Sequence, residues 1–424
     1  MRKLWAIALL VGFIFQPLLF SQNITLKQCR QWARENYPSC KKQGLLEQNR
    51  DYAVSSVNMV YLPQLSLSGQ ATYQSEVTRI DLPKNIESLG ISLPYPDKDQ
   101  YQISATLYQV IWDGGNTGAI KKGIIAREKI SQQELALEIR NIETLVDRLY
   151  FGILLLNAQL NTQKLWEEEL SRNQQKLESY IANGVSNESD RDKLRVEQLK
   201  AFQQREQLEG TRRGMLEALN MLMGKHLPGT DDFVMPEEVE FSDIVSPNRP
   251  ELLLLDAQND LLTAQENENM ANNMPSIGAF IQGGYGKPGL NFLSNEFSPF
   301  WIGGVKFSWN LGNLYTYGNK KRSLKLQKQM VDLQKETVKY NLCTQRNQER
   351  SGLLELQSLL KSDREIIRLR EQIKNATAIK VENGVANISD LLKETSEWKM
   401  AKEMEALHRI QYVMKLYTLK NITE

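Results

Sequence analysis

The chain carries Asn-Gly-Val-Ser-Asn-Glu-Ser-Asp at Asn183–Asp190 and, 200 residues later, Asn-Gly-Val-Ala-Asn-Ile-Ser-Asp at Asn383–Asp390, with six of eight positions identical. A short turn sequence that recurs at such a distance constrains the fold more than composition does, because it implies one supersecondary unit used twice. Other landmarks recur in the same order. Asn36-Tyr-Pro38 answers Asn248-Arg-Pro250, and Tyr61-Leu-Pro-Gln-Leu65 answers Met274-Pro-Ser-Ile277, both at an offset of 212. Ile111-Trp-Asp-Gly-Gly-Asn116 answers Ser308-Trp-Asn-Leu-Gly-Asn313 at 197. A single length change of 15 residues between the proline and tryptophan landmarks accounts for the drop. The chain reads as a tandem duplication, with a first repeat at 22–224, a linker at 225–247 and a second repeat at 248–424.

Proline placement shows where long helices can form. None stands between Pro96 and Pro228, and none after Pro299; proline breaks helix interiors, so both blocks are open to very long helices. In the first, Leu135, Ile139, Ile142, Val146, Leu149, Ile153, Leu156 and Leu160 keep a 4-3 spacing, the a/d seam of coiled-coil packing. Leu326, Met330, Leu333 and Tyr340 begin a weaker seam in the second, where Thr337 takes one seam position. Each block then meets its Asn-Gly-Val turn and resumes as helix, through Asp190–Gly224 and Asp390–Leu419. The pattern predicts two antiparallel helical hairpins, closed at Gly184 and Gly384, with Asn-x-Ser-Asp capping the return helix. A first helix from Asn116 to Ile181 would be roughly 100 Å long at ~1.5 Å per residue. Such a helix cannot bury itself in a globular domain and must pack along others in a bundle or tube.

Four strand candidates lie between the helical pieces. Leu65–Tyr73 alternates strictly, with Leu65, Leu67, Ala71 and Tyr73 opposite Ser66, Ser68, Gln70 and Thr72. Tyr101–Leu107 alternates likewise, and Trp301, Val305, Phe307 and Trp309 share one face of Trp301–Trp309. Ile277–Tyr285 is the weakest, because Phe280 breaks its pattern. Strands of about 9–11 residues, apolar on one side, polar on the other and aromatic near their ends, suit a transmembrane β-barrel. A soluble sandwich with one wet face would give the same pattern in any single strand. The reaches 74–100 and 286–299 read as loops, the first carrying the extra length. Gly283–Gly289 is glycine-rich but lacks the spacing of a phosphate loop.

Arg2 and Lys3, an apolar run at Leu4–Phe15 and a small residue at Ser21 predict a secretory signal peptide over 1–21, cleaved near Ser21/Gln22. The run falls short of a spanning helix, and no cysteine stands at the cleavage point to support a lipoprotein. Without Arg2 and Lys3 the basic residues fall from 52 to 50 against 51 acidic ones, a balance that argues against nucleic-acid binding. Cys29, Cys40 and Cys343 are too few for a disulfide framework, and their placing favours free thiols over a Cys29–Cys40 bridge. His226 and His408 stand alone, so the sequence offers no metal centre, no cofactor loop and no catalytic constellation.

An exported tandem repeat of helix, proline-led strand, loop, strand and long helical hairpin resembles the TolC-like outer-membrane efflux proteins (outer membrane factors). The likeness rests on Tyr61–Ser68, the Trp112 and Trp309 strand ends running into Gly-Asn, Asn248–Leu252 and the two Asn-Gly-Val turns. It implies an α+β fold, with four strands per protomer contributing to a shared 12-stranded barrel and tandem helical hairpins forming a periplasmic α-barrel. It further implies a homotrimer in the outer membrane of a Gram-negative bacterium, meeting outer-membrane lipid, a periplasmic adaptor and an inner-membrane pump of RND, ABC or MFS type. Linker 225–247 would join the C-terminal tail in an equatorial belt. The function implied is the exit channel of a tripartite efflux or type I secretion system. A periplasmic coiled-coil scaffold or adaptor without a barrel is the alternative, and it leaves the duplicated strands unexplained.

By the same resemblance, the hairpin tips are the adaptor contacts: Asn183, Gly184, Val185, Asn187 and Asp190 in the first copy, and Asn383, Gly384, Val385, Asn387 and Asp390 in the second. Asp390 aligns with a pore-facing aspartate and is the candidate pore constriction, although a plain helix-capping role fits it equally. Three neighbours depart from the family pattern. Val381 replaces a gating tyrosine, Ala386 an arginine and Lys393 a second aspartate, so the family's closing latch does not carry over.

Overall fold

A computed structural model describes residues 23–78, 95–184, 186–227, 229 and 233–424. The expected signal peptide, the tip residue Val185, Pro228 and the bulk of the loop 74–100 lie outside the described residues. Among the described residues, seven α-helices and four strands follow one another as α1 Leu26–Asn36, α2 Lys42–Asn58, β1 Gln64–Tyr73, β2 Asp99–Trp112, α3 Asn116–Ala182, α4 Glu188–Met223, α5 Pro250–Ala271, β3 Ser276–Lys287, β4 Ser298–Ser308, α6 Leu314–Glu382 and α7 Ile388–Thr423. Among the described residues, the order helix, strand, strand, long helix, return helix occurs twice. All four strands stand where the alternation places them; β2 runs further, to 14 residues. Phe280 does not interrupt β3.

The chain packs into two units, and each draws on both repeats. One comprises residues up to 42, 135–249 and 338–424; the other comprises 43–134 and 250–337. Sequence repeat and packing unit are therefore different divisions of this chain.

In the first unit, the seam residues of α3 do the packing. Val146 and Ile153 are fully buried against Leu219 and Met223 of α4, Ile410 and Val413 of α7, and Cys29 and Ala33 of α1. The linker closes this core, with Phe233 bridging Ile24 and Tyr150 donating its hydroxyl to the carbonyls of Ile24 (2.7 Å) and Val234 (2.6 Å). Burial pushes the Cys29 thiol up to about 12 and keeps it inert. All three cysteines are free thiols. A second cluster ties the hairpins together near their turns, where Trp166, Leu170 and Leu177 of α3 meet Leu194 of α4, Val381 of α6, and Ile388 and Leu392 of α7.

The second unit is a four-stranded antiparallel sheet, ordered β1-β2-β3-β4, joined to a helical collar. Ion pairs hold the collar: Arg50 of α2 reaches Glu128 of α3 (3.7 Å), Lys129 of α3 reaches Asp260 of α5 (3.3 Å), and Lys328 of α6 reaches Glu266 of α5 (2.7 Å). The strand-to-helix corners are duplicated too. Asp113 accepts from the backbone N–H of Gly115 (3.0 Å) and Thr117 (2.6 Å), and its counterpart Asn310 accepts from that of Gly312 (3.1 Å). No described helix is long and apolar enough to cross a membrane.

Candidate functional site

Register decides what each face of the sheet presents. Leu67 pairs with Ala105, Ala105 with Gly283, and Gly283 with Trp301, so the odd-numbered residues of the four strands share one side, joined by Trp112 beyond the bulge that follows Val110. That side is apolar and open: Leu67 is 73%, Trp301 73% and Val305 70% exposed. A soluble sheet buries such a face, so this one is made for an apolar solvent. Aromatic residues mark its two ends, Tyr73, Tyr101 and Tyr285 at the loop end, and Trp112 and Phe307 at the collar.

The even-numbered side is polar along β1 and most of β2, and carries Phe280, Phe300 and Ile302 on β3 and β4. Ser104, only 4% exposed, accepts from Gln282 Nε2 (2.9 Å) and meets Ser68 Oγ at 3.1 Å, while Gln70 donates to Gln102 (3.1 Å). These hydroxyl and amide groups bond one another across the strands. Phe280 lies on this side, opposite Tyr108 and Gly304. An open apolar face on the sheet reverses the layout of a soluble domain.

At the hairpin tips the structure gives most of the expected residues a local task. Gly184 and Gly384 adopt left-handed φ values of 73° and 71°, which spare a side chain its clash with the following carbonyl. Asn183 and Asn383 each donate their side-chain amide to the carbonyl four residues back, at 2.8 Å. Asn187 and Asn387 cap their return helices, accepting from the N–H of Asp190 (3.1 Å) and Asp390 (2.9 Å). Val385 differs: it is 75% exposed and serves no turn hydrogen bond through its side chain.

The two aspartates part company. Asp190 is buried and receives Lys193 Nζ (3.0 Å) and Ser186 Oγ (2.9 Å). The Lys193 ammonium, ahead of the Ser186 hydroxyl, holds its carboxyl below the usual range. Asp390 is exposed and closes a capping box by accepting from the Asn387 N–H (3.2 Å). Ala386 supplies no hydroxyl, so Asp390 remains open to solvent. Val381, in the position of the family's gating tyrosine, is buried in the tip cluster, with Ala386 packed beside it.

Between α4 and α7 lies a groove of about 450 Å³ that sequence reasoning missed, apart from Lys393. Lys193 and Lys393, and Glu197 and Glu397, line it as pairs 200 residues apart. Ser389 Oγ in its wall is buried without a hydrogen-bond partner among the described residues. The 200-residue offset could have revealed these pairs, since it relates them as it relates the turns. Among the described residues, no cluster of acidic, histidine or cysteine side chains could hold a metal ion.

Residues 30–225 match the outer membrane efflux protein family. The fold extends the likeness through the second repeat. The outer membrane protein VceC of Vibrio cholerae superposes with a TM-score of 0.69, over 94% of this chain and 96% of its own, at 14% identity. The family match itself is confined to residues 30–225, and beyond them the likeness is one of fold. Other structures of this fold include the CmeC outer membrane channel of Campylobacter jejuni (TM-score 0.68, 14% identity, 94% of this chain and 85% of that one). The open MtrE outer membrane channel of Neisseria gonorrhoeae matches at 0.68 and 14%, over 94% and 88%. No curated protein matches the sequence. The outer membrane efflux proteins are a family of channels rather than of enzymes.

Proposed function

We propose that this chain is the outer-membrane exit channel of a tripartite efflux system, working as a homotrimer whose three sheets close one 12-stranded barrel. The observation that carries this is the sheet itself, lipid-suited on one face, hydrated on the other and unpaired at both edges. Open edges are not tolerated in lipid, and barrels have at least eight strands, so several copies must share one wall. The shared fold of the family favours three. The hydrated face lines the pore, loops 74–100 and 286–299 lie outside the cell, and the hairpins descend into the periplasm. Linker 225–247 acts as the belt: Val239 and Phe241 pack on Leu353, Leu416 and Leu419, and the Ser246 N–H donates to the Thr423 carbonyl at 2.8 Å.

The tips and the α4–α7 groove are the docking site for a periplasmic adaptor, which connects the channel to an inner-membrane pump. Asn183, Gly184, Asn187, Asn383, Gly384 and Asn387 shape the two turns; Val385 is the apolar contact that the second turn holds out. Asp390 stands at the second tip as the candidate constriction. Val385→Asp tests this without disturbing a turn bond. Trimers should still appear in outer-membrane fractions and survive mild detergent, while export falls at least tenfold. Recovery of the native chain as a soluble periplasmic monomer overturns the channel reading, and full export by Val385→Asp overturns the docking site.

A further inference from the structure

The hydrated face of the sheet is neutral with one exception. Among the described residues of the four strands, Asp99 and Lys287 fall on the odd-numbered, lipid-suited side, and Lys306 is the only charged side chain on the even-numbered side. Lys306 is exposed, and no carboxylate pairs with it among the described residues. Its cross-strand partner is Gly278, and residues so paired hold their side chains on the same face about 5 Å apart.

Gly278 leaves room for an aromatic ring. A Cβ added there would stand 2.3 Å from the Tyr108 hydroxyl, so the ring of Tyr108 rests on the bare backbone and carries its hydroxyl to the position facing Lys306. Phe280, paired directly with Tyr108, lies against a second glycine: a Cβ on Gly304 would meet its ring at 3.4 Å. Two aromatic rings, a phenolic hydroxyl and an unpaired ammonium thus occupy neighbouring positions, beside an uncharged ladder of serine, threonine and glutamine. Symmetry copies repeat the set around the wall.

We propose that Lys306, Tyr108 and Phe280 form a lumenal binding site for amphipathic aromatic anions, and that the pore favours such cargo. The proposal rests on the reading that this face lines the pore. The ammonium complements a carboxylate or sulfonate, the hydroxyl donates to the same group, and the rings receive the apolar body of the solute. A ring of like charge also raises the local concentration of counter-ions in a pore with low-dielectric walls.

Purified trimers in planar bilayers test this, with 2-naphthoate and 2-naphthylmethylammonium added on the loop side. Naphthoate should reduce the current at lower concentration than its cationic analogue. In Lys306→Gln the half-blocking concentration of naphthoate should rise about fivefold, the upper range for a solvent-exposed ion pair, and the reversal potential in a KCl gradient should move toward cations. Lys306→Arg should retain the block. Phe280→Ala should weaken the block and leave the reversal potential unchanged. The hairpin tips are common to every variant, so differences report on the barrel. Equal block by the two probes, or a Lys306→Gln channel that conducts with unaltered block, overturns the anion site and leaves the channel intact. Native trimers that conduct nothing overturn the channel reading instead.

Discussion

The Asn-x-Pro landmarks turn out to be clamps on the ends of the return helices. A helix leaves its last carbonyls without partners, and each repeat covers them from the residues just before a proline. In the first repeat Asn36 Nδ2 donates to the carbonyls of Met221 (3.4 Å) and Leu222 (3.2 Å) at the end of α4. In the second, the Arg249 guanidinium donates to Asn421 O at 2.9 Å and to Ile422 O at the end of α7, with Arg140 also on Asn421 O. The charge suits the negative end of a helix dipole. Arg249 is 4% exposed, so its removal would strand the Ile422 carbonyl, while Arg140 still serves Asn421 O. Arg249→Ala should cost about 1–3 kcal/mol, the range for one buried acceptor left unsatisfied. Asn36→Ala, with longer neutral bonds, should cost about 1 kcal/mol. Denaturant midpoints of the detergent-solubilised protein measure both, and an Arg249→Ala midpoint equal to that of the native chain would refute the clamp.

In the proposed barrel, neighbouring residues of one strand face different solvents, which makes β1 its own control. Leu67 stands on the apolar side and Ser66 on the hydrated side, both exposed. Leu67→Arg places a guanidinium in lipid at a cost of about 2–4 kcal/mol per copy near the midplane, whereas Ser66→Arg leaves it in water. Outer-membrane levels should fall several-fold in the first and stay near native in the second; equal losses would mean that the faces are not divided between lipid and water. Most of this was legible in the alternation of β1, β2 and β4, because a period of two reports a face directly. The rest was not legible, for reasons that particular residues show. Phe280 looked like an error in β3, yet it fills the space above Gly304 on the neighbouring strand, a register the sequence does not state. The two heptad seams look alike, but Val146 and Ile153 are buried within their own unit, while Leu326 and Leu333 are 59% and 62% exposed. Periodicity reveals an apolar stripe and is silent on what covers it. The twin turns hide a similar divergence, since Asp190 is buried with bonds from Ser186 and Lys193 while Asp390 is open beside Ala386.

For the molecule as a whole, the exposed stripes and the sheet edges ask the same question, namely how many copies close the wall. β1 and β4 each have one paired side, with β2 and β3 respectively, and each leaves its other side free. Four antiparallel strands in sequence order put β4 of one copy antiparallel to β1 of the next, so the closed wall repeats the same pairing at every junction. Two glycines give access to it. Gly69 of β1 and Gly303 of β4 lie mid-strand on the apolar side, and a Cβ at either meets its neighbours at ordinary distances, 3.8 Å and 3.6 Å. A Gly69→Cys, Gly303→Cys chain, with Cys29, Cys40 and Cys343 replaced by serine, should therefore fold and carry one thiol at each free edge. A short bifunctional maleimide applied to intact outer membranes should then give covalent monomer, dimer and trimer, and nothing larger. Either cysteine alone lacks its partner across the junction and should give little product beyond monomer. A ladder that stops at two would mean an eight-stranded wall, and one that continues past three would mean a wider ring; in either case the 12-stranded barrel would fall while the lipid-facing role of the sheet stood.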